Sequence, residues 1–196
     1  MSYDSKDATV LHQHRVGHLL CDAADELIKR SETHDASKLE SPEKELFDEF
    51  TPKLKGCTYG SDEYKEFLKG LKVALDHHYA NNSHHPEHYI LWKCPICSKT
   101  KQEKETWVSD NGNRFCLECT GGHAIYEAEL TETDRIVSVD GFDLFDLIEM
   151  FFDWKAASER HNDGNIFKSI EINTKRFNLS EQVVSILRNT AERMQF

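Results

Sequence analysis

Cys94-Pro95-Ile96-Cys97 and, after 18 intervening residues, Cys116-Leu117-Glu118-Cys119 divide this chain into three parts. Each Cys-x-x-Cys pair can fold as a tight knuckle that presents two thiolates to one tetrahedral ion. Between them, Asn111-Gly112 stands between Thr106-Trp107-Val108 and Arg114-Phe115, a pattern that predicts a hairpin closed by a type I′ turn. Residues 93–123 are therefore expected to form a zinc ribbon or related knuckle module, with structural Zn on Cys94, Cys97, Cys116 and Cys119. A rubredoxin-like iron site or a redox dithiol is the alternative. The module carries five basic and four acidic side chains, Lys93, Lys99, Lys101, Lys104 and Arg114 against Glu103, Glu105, Asp110 and Glu118, too even a balance to indicate its partner. Such a ribbon can brace the neighbouring domain or contact a protein or nucleic acid. Cys21 and Cys57 have no partner in the pattern and read as free thiols.

Outside the module the hydrophobic period is helical. Residues 9–30 place Val16, Leu19, Leu20, Ala23 and Leu27 on one stripe. Residues 62–80 do the same with Tyr64, Phe67, Leu68, Leu71, Ala74 and Leu75, behind Ser61 as N-cap. Further helices are expected over 144–160, over 166–177, and from Ser180 through Val183, Val184, Leu187 and Met194, and Ile136–Val139 reads as a short strand. The loop-rich segments are 31–42, 52–61, 81–92 and 131–143. The expected architecture is mainly α: a helical domain over 1–92 and 124–196, interrupted by the ribbon insertion at 93–123.

The chain has 196 residues, with 35 Asp and Glu against 24 Lys and Arg, a formal charge of −11. That length suits one domain with a small insertion. The charge opposes broad nucleic-acid binding, which needs a positive surface. No apolar run approaches the roughly 20 residues a bilayer requires, and the first residues lack the order of a signal peptide. The expected location is the cytosol, with no membrane association.

Histidine is the unusual residue: the chain has 11, and they fall beside carboxylates. His14 and His18 lie one helical turn apart. His34-Asp35-Ala36-Ser37-Lys38 follows the first helix, and an adjacent His-Asp pair can fill neighbouring positions on a metal, although one such dipeptide arises easily by chance. In Leu75–His88, His78 lies three residues after Leu75 and seven after Leu71, so it faces inward with the apolar stripe. With His84 and His85 following in a loop, a shared polar or metal-lined pocket is expected; His77 and His88 are placed at its rim or in solvent. Late in the chain Asp146, Glu149 and Asp153 form an acidic stripe at i, i+3 and i+7. Asp153 stands between Phe152 and Trp154, where an unpaired carboxylate would be costly to bury, so a cation or histidine partner is expected.

The order of these motifs resembles the HD-domain superfamily of metal-dependent phosphohydrolases. More closely, His14-Arg15-Val16, His34-Asp35-Ala36-Ser37-Lys38-Leu39 with Pro42-Glu43, His78-Tyr79 with Asn82 and His84-His85-Pro86-Glu87, and Glu149–Ser158 resemble an uncharacterised family of small bacteriophage and bacterial proteins. The resemblance spans roughly residues 9–91 and 143–194 and leaves the ribbon unexplained. It implies an HD-like helical bundle, with His14, His34, Asp35 and Asp153 as metal ligands, His78, His84 and His85 in the role of extra ligands, and Lys38 near a substrate phosphate. His18 competes with His14, and Asp146 or Glu149 with Asp153.

The implied chemistry is hydrolysis of a nucleotide or other small phosphoester, the ion lowering the pKa of water and neutralising phosphoryl charge. Asp35 or a histidine of the second cluster, His78 foremost, would accept a proton. Lys38 and Arg15 would hold the phosphate, alongside His84 and His85. The donor set suits Mn, Fe, Co, Ni or Zn better than Ca. The expected partner is a small phosphorylated substrate, in the host cytoplasm if the chain is phage-encoded. A binding or adaptor protein that uses the ribbon on a host protein or nucleic acid is the alternative, with a di-iron oxygenase behind it.

Overall fold

A computed structural model describes residues 4–55, 61–121, 123, 129–160 and 164–196. Cys57 lies outside them. The protein is mainly helical, with eight α-helices among the described residues and two small sheets. None of those helices is long and apolar enough to cross a membrane. The chain divides into two compact units, residues 1–36 and 37–196, described here separately.

The first unit is one unbroken helix, α1 (Lys6–Thr33), that buries none of its residues. The stripe expected to be its core face is largely open, with Val16, Leu19 and Leu20 exposed. Cys21 is a free, exposed thiol. After the helix the backbone turns at Asp35, which adopts a left-handed φ of 56°, a conformation that short polar side chains such as Asp tolerate best after glycine.

In the second unit, α2 (Glu43–Lys55) packs on α3 (Asp62–Gly70) and α4 (Lys72–Asn81). The single helix expected over 62–80 is thus two helices that meet at Leu71. The cause lies at Gly70, where a Cβ would run into the Phe50 ring of α2; the close approach requires glycine, which in turn weakens the helix. Ser61 caps α3 as its sequence suggests, its hydroxyl accepting from Tyr64 N–H at 3.1 Å. α2 also runs through Pro52 to Lys55, into a segment read as loop.

Six short strands follow: β1 (Leu91–Lys93), β2 (Thr100–Gln102), β3 (Thr106–Val108), β4 (Arg114–Cys116), β5 (Glu129–Leu130) and β6 (Arg135–Ile136), with the single turn α5 (Leu117–Thr120) after β4. They form two antiparallel sheets, β2-β1-β6 and β3-β4-β5. Trp107 pairs across β3–β4 with Phe115 and stacks on it at 5.0 Å. The hairpin is present, but its turn is not type I′, which needs positive φ at both central residues. Ser109 N–H bonds to Asn113 O and Gly112 N–H to Ser109 O, and of the loop residues only Gly112 has positive φ, at 84°. This is the three-residue loop in which a left-handed glycine closes the turn.

The chain returns through α6 (Leu144–Ser158), α7 (Ile166–Phe177) and α8 (Glu181–Met194), capped by Asp143, Asn165 and Ser180. Successive helices pack on one another around Phe151, Ile166, Ile170, Phe177, Leu179, Leu187 and Ala191.

Candidate functional site

The four cysteines form the first cluster. Cys94, Cys97, Cys116 and Cys119 bring one sulfur each within 4.8 Å of all the others, and Cys94 and Cys119 Sγ are 3.7 Å apart. Zn–S bonds of about 2.3 Å set a tetrahedral edge of about 3.8 Å, so the arrangement suits a closed four-thiolate site. The first pair sits in the β1–β2 turn, where Ser98 N–H bonds to Cys94 O and Cys94 N–H to Lys99 O. The second pair flanks the start of α5. Trp92 and Leu130 close over the sulfurs. Lys101, only 3% exposed, ion-pairs with Glu118 inside the second knuckle, and Lys99 binds the same carboxylate at 2.5 Å. The two ammonium groups hold Glu118 down at about 2.

The thiols differ in acidity. Burial acts to raise Cys94, but hydrogen bonds from the backbone of Cys97 and Ile96 and from neighbouring thiols outweigh it and bring it to about 7. Desolvation and competition with the other thiols push Cys119 up to about 12, and desolvation also raises Cys116. A metal must displace the protons these groups hold. Cys116 and Cys119 are protonated at neutral pH and Cys94 half so, which makes at least two protons released per ion bound. The apparent metal affinity is therefore expected to fall at least about 100-fold per unit as pH drops through 7, checked by competition with a chromophoric chelator.

The second cluster is built on α4 and the loop after it. His78 is 1% exposed and shares its buried face with Leu71 and Ala74; His84 is 2% exposed. His78, His84 and His85 each bring one ring nitrogen within 4.8 Å of the others. Glu43, fully buried at the start of α2, holds His78 Nδ1 at 2.9 Å through one oxygen and His77 Nδ1 at 2.7 Å through the other. Glu149 holds His84 Nδ1 at 3.0 Å. An ionised carboxylate only accepts, so in both rings Nδ1 carries the proton and Nε2 presents its lone pair. His78 Nε2 lies 2.9 Å from His85 Nε2. Carboxylate behind imidazole, with the far nitrogen turned inward, is the arrangement that orients metal-binding histidines. The donor set and its supports fit a divalent transition metal.

The three acidic residues of α6 have separate tasks. Asp146 is buried and accepts from Ser83 Oγ at 2.6 Å and Tyr89 O–H at 2.5 Å, pinning both ends of the histidine loop, and its own N-terminal capping box with Asp143 fixes it in turn. Glu149 backs His84. Asp153 lines an open cleft of about 540 Å³ together with His85, Tyr79, Trp154, Lys168 and Arg176. Arg176 ion-pairs with Glu87 at 2.7 Å. Burial, with the Glu87 charge, raises the Tyr79 phenol, so it stays protonated at neutral pH.

The remaining expected residues are placed as follows. His34 Nε2 lies 3.6 Å from Asp35 Oδ2 at the end of the first unit. His14, His18 and Arg15 are exposed on α1. Because α1 is continuous to Thr33, the rise of 1.5 Å per residue puts His14 about 30 Å along its axis from His34, and His18 about 24 Å; neither histidine is brought together with the His-Asp pair. Lys38 Nζ sits over the Phe47 ring, 5.4 Å from its centroid. His77 lies at the rim against Glu43, and His88 Nδ1 bonds to Tyr79 O at 2.8 Å. Sequence reasoning missed the roles of Glu43, Lys168 and Arg176. Lys168 and Arg176 are eight residues apart on one face of α7, a spacing that was there to be read.

These features define a mainly helical protein with a four-cysteine cluster able to hold a metal such as zinc and, apart from it, a carboxylate-backed group of three histidines. The chain belongs to a family of unknown function, DUF5662, whose model matches residues 1–193. No curated protein and no solved structure matches it.

Proposed function

We propose that this protein is a metal-dependent phosphohydrolase acting on a small phosphoester, as the resemblance to HD-domain enzymes implies. The observation that supports it most is the His78–His84–His85 group, two of its rings backed by Glu43 and Glu149 and the third forming part of a cleft that also carries Lys168 and Arg176. A divalent ion on those imidazoles supplies acidified water and positive charge at the phosphoryl oxygens. The rest falls to the chain's own residues. Glu43 and Glu149 keep Nδ1 protonated and the rings fixed. The Arg176 guanidinium donates charge-assisted hydrogen bonds to anionic oxygen. Asp153, in the same cleft, is the carboxylate that the resemblance makes a ligand. The HD-type reading further requires His34 and Asp35 to be ligands and Lys38 to contact phosphate; the four-cysteine site, which that resemblance does not cover, we read from its cysteine spacing as a structural zinc site.

The test is hydrolysis of a phosphoester panel by the full chain loaded with Mn or Co. Turnover is expected, with His84→Ala lowering it by at least about 100-fold while the ion on the cysteines remains. His34→Ala and Asp35→Ala should lose as much. A protein that binds a second metal through the histidines yet hydrolyses nothing on the panel would overturn the proposal.

A further inference from the structure

The cleft beside His85 has two unlike ends. On α7, Lys168, Ile172 and Arg176 lie at i, i+4 and i+8, so they share one face, with the outer two about 12 Å apart along the axis. Arg176 stands at the end defined by Glu87, Asp153 and Trp154; the Trp154 ring lies parallel to that of Phe177, the last residue of α7. Lys168 stands at the other end, with Asn165 and Ser169. Ala157 and the half-exposed Ile172 supply apolar surface. A cavity of about 540 Å³ falls within the 300–1,000 Å³ common for small-molecule sites.

We infer that this cleft binds a nucleoside monophosphate lengthwise, phosphate at the His85–Arg176 end, with Lys168 selecting a base that presents acceptor atoms. This rests on the phosphohydrolase reading for the position of the phosphate. The charges support one phosphoryl group. Lys168 and Arg176 are balanced by Glu87 and Asp153, and both carboxylates share the Arg176 end, so the added charges of a di- or triphosphate would meet repulsion there. The apolar middle suits a flat ring or a sugar face. At the far end the one charged group, the Lys168 ammonium, only donates; Asn165, whose Oδ1 already accepts from Phe167 N–H at 2.7 Å, adds its Nδ2 as a donor, and the Ser169 hydroxyl can act either way. Guanine O6 and N7 are the acceptor pair that lysine reads in nucleic acids, whereas adenine sets an amino donor beside N7.

The experiment measures binding of GMP, AMP, GTP, phenyl phosphate and inorganic phosphate to the full chain by calorimetry, alongside turnover. GMP is expected to bind at least 10-fold tighter than AMP and GTP. Lys168→Ala should weaken GMP at least 10-fold while leaving AMP, phenyl phosphate and inorganic phosphate nearly unchanged. Lys168 is exposed, so the variant keeps its fold, and Lys168→Arg should restore part of the preference. Selective, Lys168-dependent GMP binding without turnover of any ester would uphold the cleft and remove the hydrolase. Turnover with equal affinity for GMP and AMP, or a preference that Lys168→Ala leaves intact, would overturn the inference and leave the hydrolase standing. Phenyl phosphate bound as tightly as GMP would also overturn it, since the distal end would then select nothing.

Discussion

If the four cysteines hold a structural ion, stripping it, or replacing Cys116 with serine, is expected to unfold the β1–β6 module while α6–α8 stays folded. The module has little else to hold it. Its strands are two or three residues long, below the length at which strand pairing sustains itself in water. Its buried hydrophobic residues are Leu91, Trp92, Cys94, Phe115, Cys116 and Leu130, with Cys97 and Cys119 packed beside them, so a third of those six are thiols. Small folds of this kind draw their stability from the ion, with apparent binding free energies of about 10–16 kcal/mol for structural zinc peptides at neutral pH. The α6–α8 bundle, by contrast, has seven buried residues in a core of its own. The readout is hydrogen exchange resolved by segment, with Trp92 and Trp107 fluorescence as the fast signal. Protection should vanish across 91–136 and persist across 166–194. Amides of the module that stay protected after complete removal of the ion would show that the strands stand without it.

The parts of the fold that were legible in sequence are those where local chemistry acts alone. Ser61 and Ser180 cap the helices they precede, since a cap is a contact across three residues. Ile166–Phe177 matches its expected bounds, being set by an N-cap asparagine and by Asn178, which takes the left-handed conformation after it. The knuckles follow from cysteine spacing. What was not legible depended on residues distant in sequence. The break at Leu71 arises because Phe50 crosses Gly70. The turn at 109–113 differs from the expected one because only one of its residues takes positive φ, which the Asn-Gly dipeptide does not by itself decide. The open stripe of α1 reflects a pattern that proposes a buried face without supplying what buries it.

The histidine site divides along the same line. His78 was visible because its inward direction follows from helical period. That Asp146, Glu149 and Asp153 would anchor the loop, back His84 and line the cleft respectively was not, since all three lie on one face and share one chemistry. The partners of Asp146 and Glu149, namely Ser83, Tyr89 and His84, come from a loop about 60 residues earlier, as does His85, which lines the cleft with Asp153. Glu43 entered the sequence reading only within the Pro42-Glu43 motif, with no role attached, and a glutamate near a helix start is an ordinary place for an acid. Its complete burial is a fact of tertiary structure.

That burial makes Glu43 the position where one substitution should cost most in the histidine region. Its two oxygens serve two imidazoles, His77 at 2.7 Å and His78 at 2.9 Å, and they tie α2 to α4. Around His78 Nδ1 the other close groups are Ser37 Oγ at 3.3 Å and the Asn82 amide nitrogen at 3.0 Å; Asn82 already donates to His78 O at 2.8 Å and to Ser37 Oγ at 2.9 Å. With Glu43→Ala, the buried Nδ1–H loses its 2.9 Å carboxylate acceptor, and a cavity opens beneath it. Leaving a buried donor without its acceptor costs about 1–3 kcal/mol, which for a chain of this size is a fall in Tm of roughly 2–12 °C. Glu43→Gln keeps the volume and one acceptor oxygen, so it should recover much of that stability. It cannot accept from both histidines at once, however, and the ring that faces its NH2 group must turn or change tautomer. If His78 Nε2 is a metal donor held by Glu43, Glu43→Gln should still lower metal affinity at the histidines by about 10–100-fold, with the ion on the four cysteines retained. Thermal melts and metal titrations of the two variants separate these effects. A Gln variant with wild-type metal affinity would reduce Glu43 to a packing role, and an Ala variant with wild-type Tm would show that the α2–α4 contact does not depend on it.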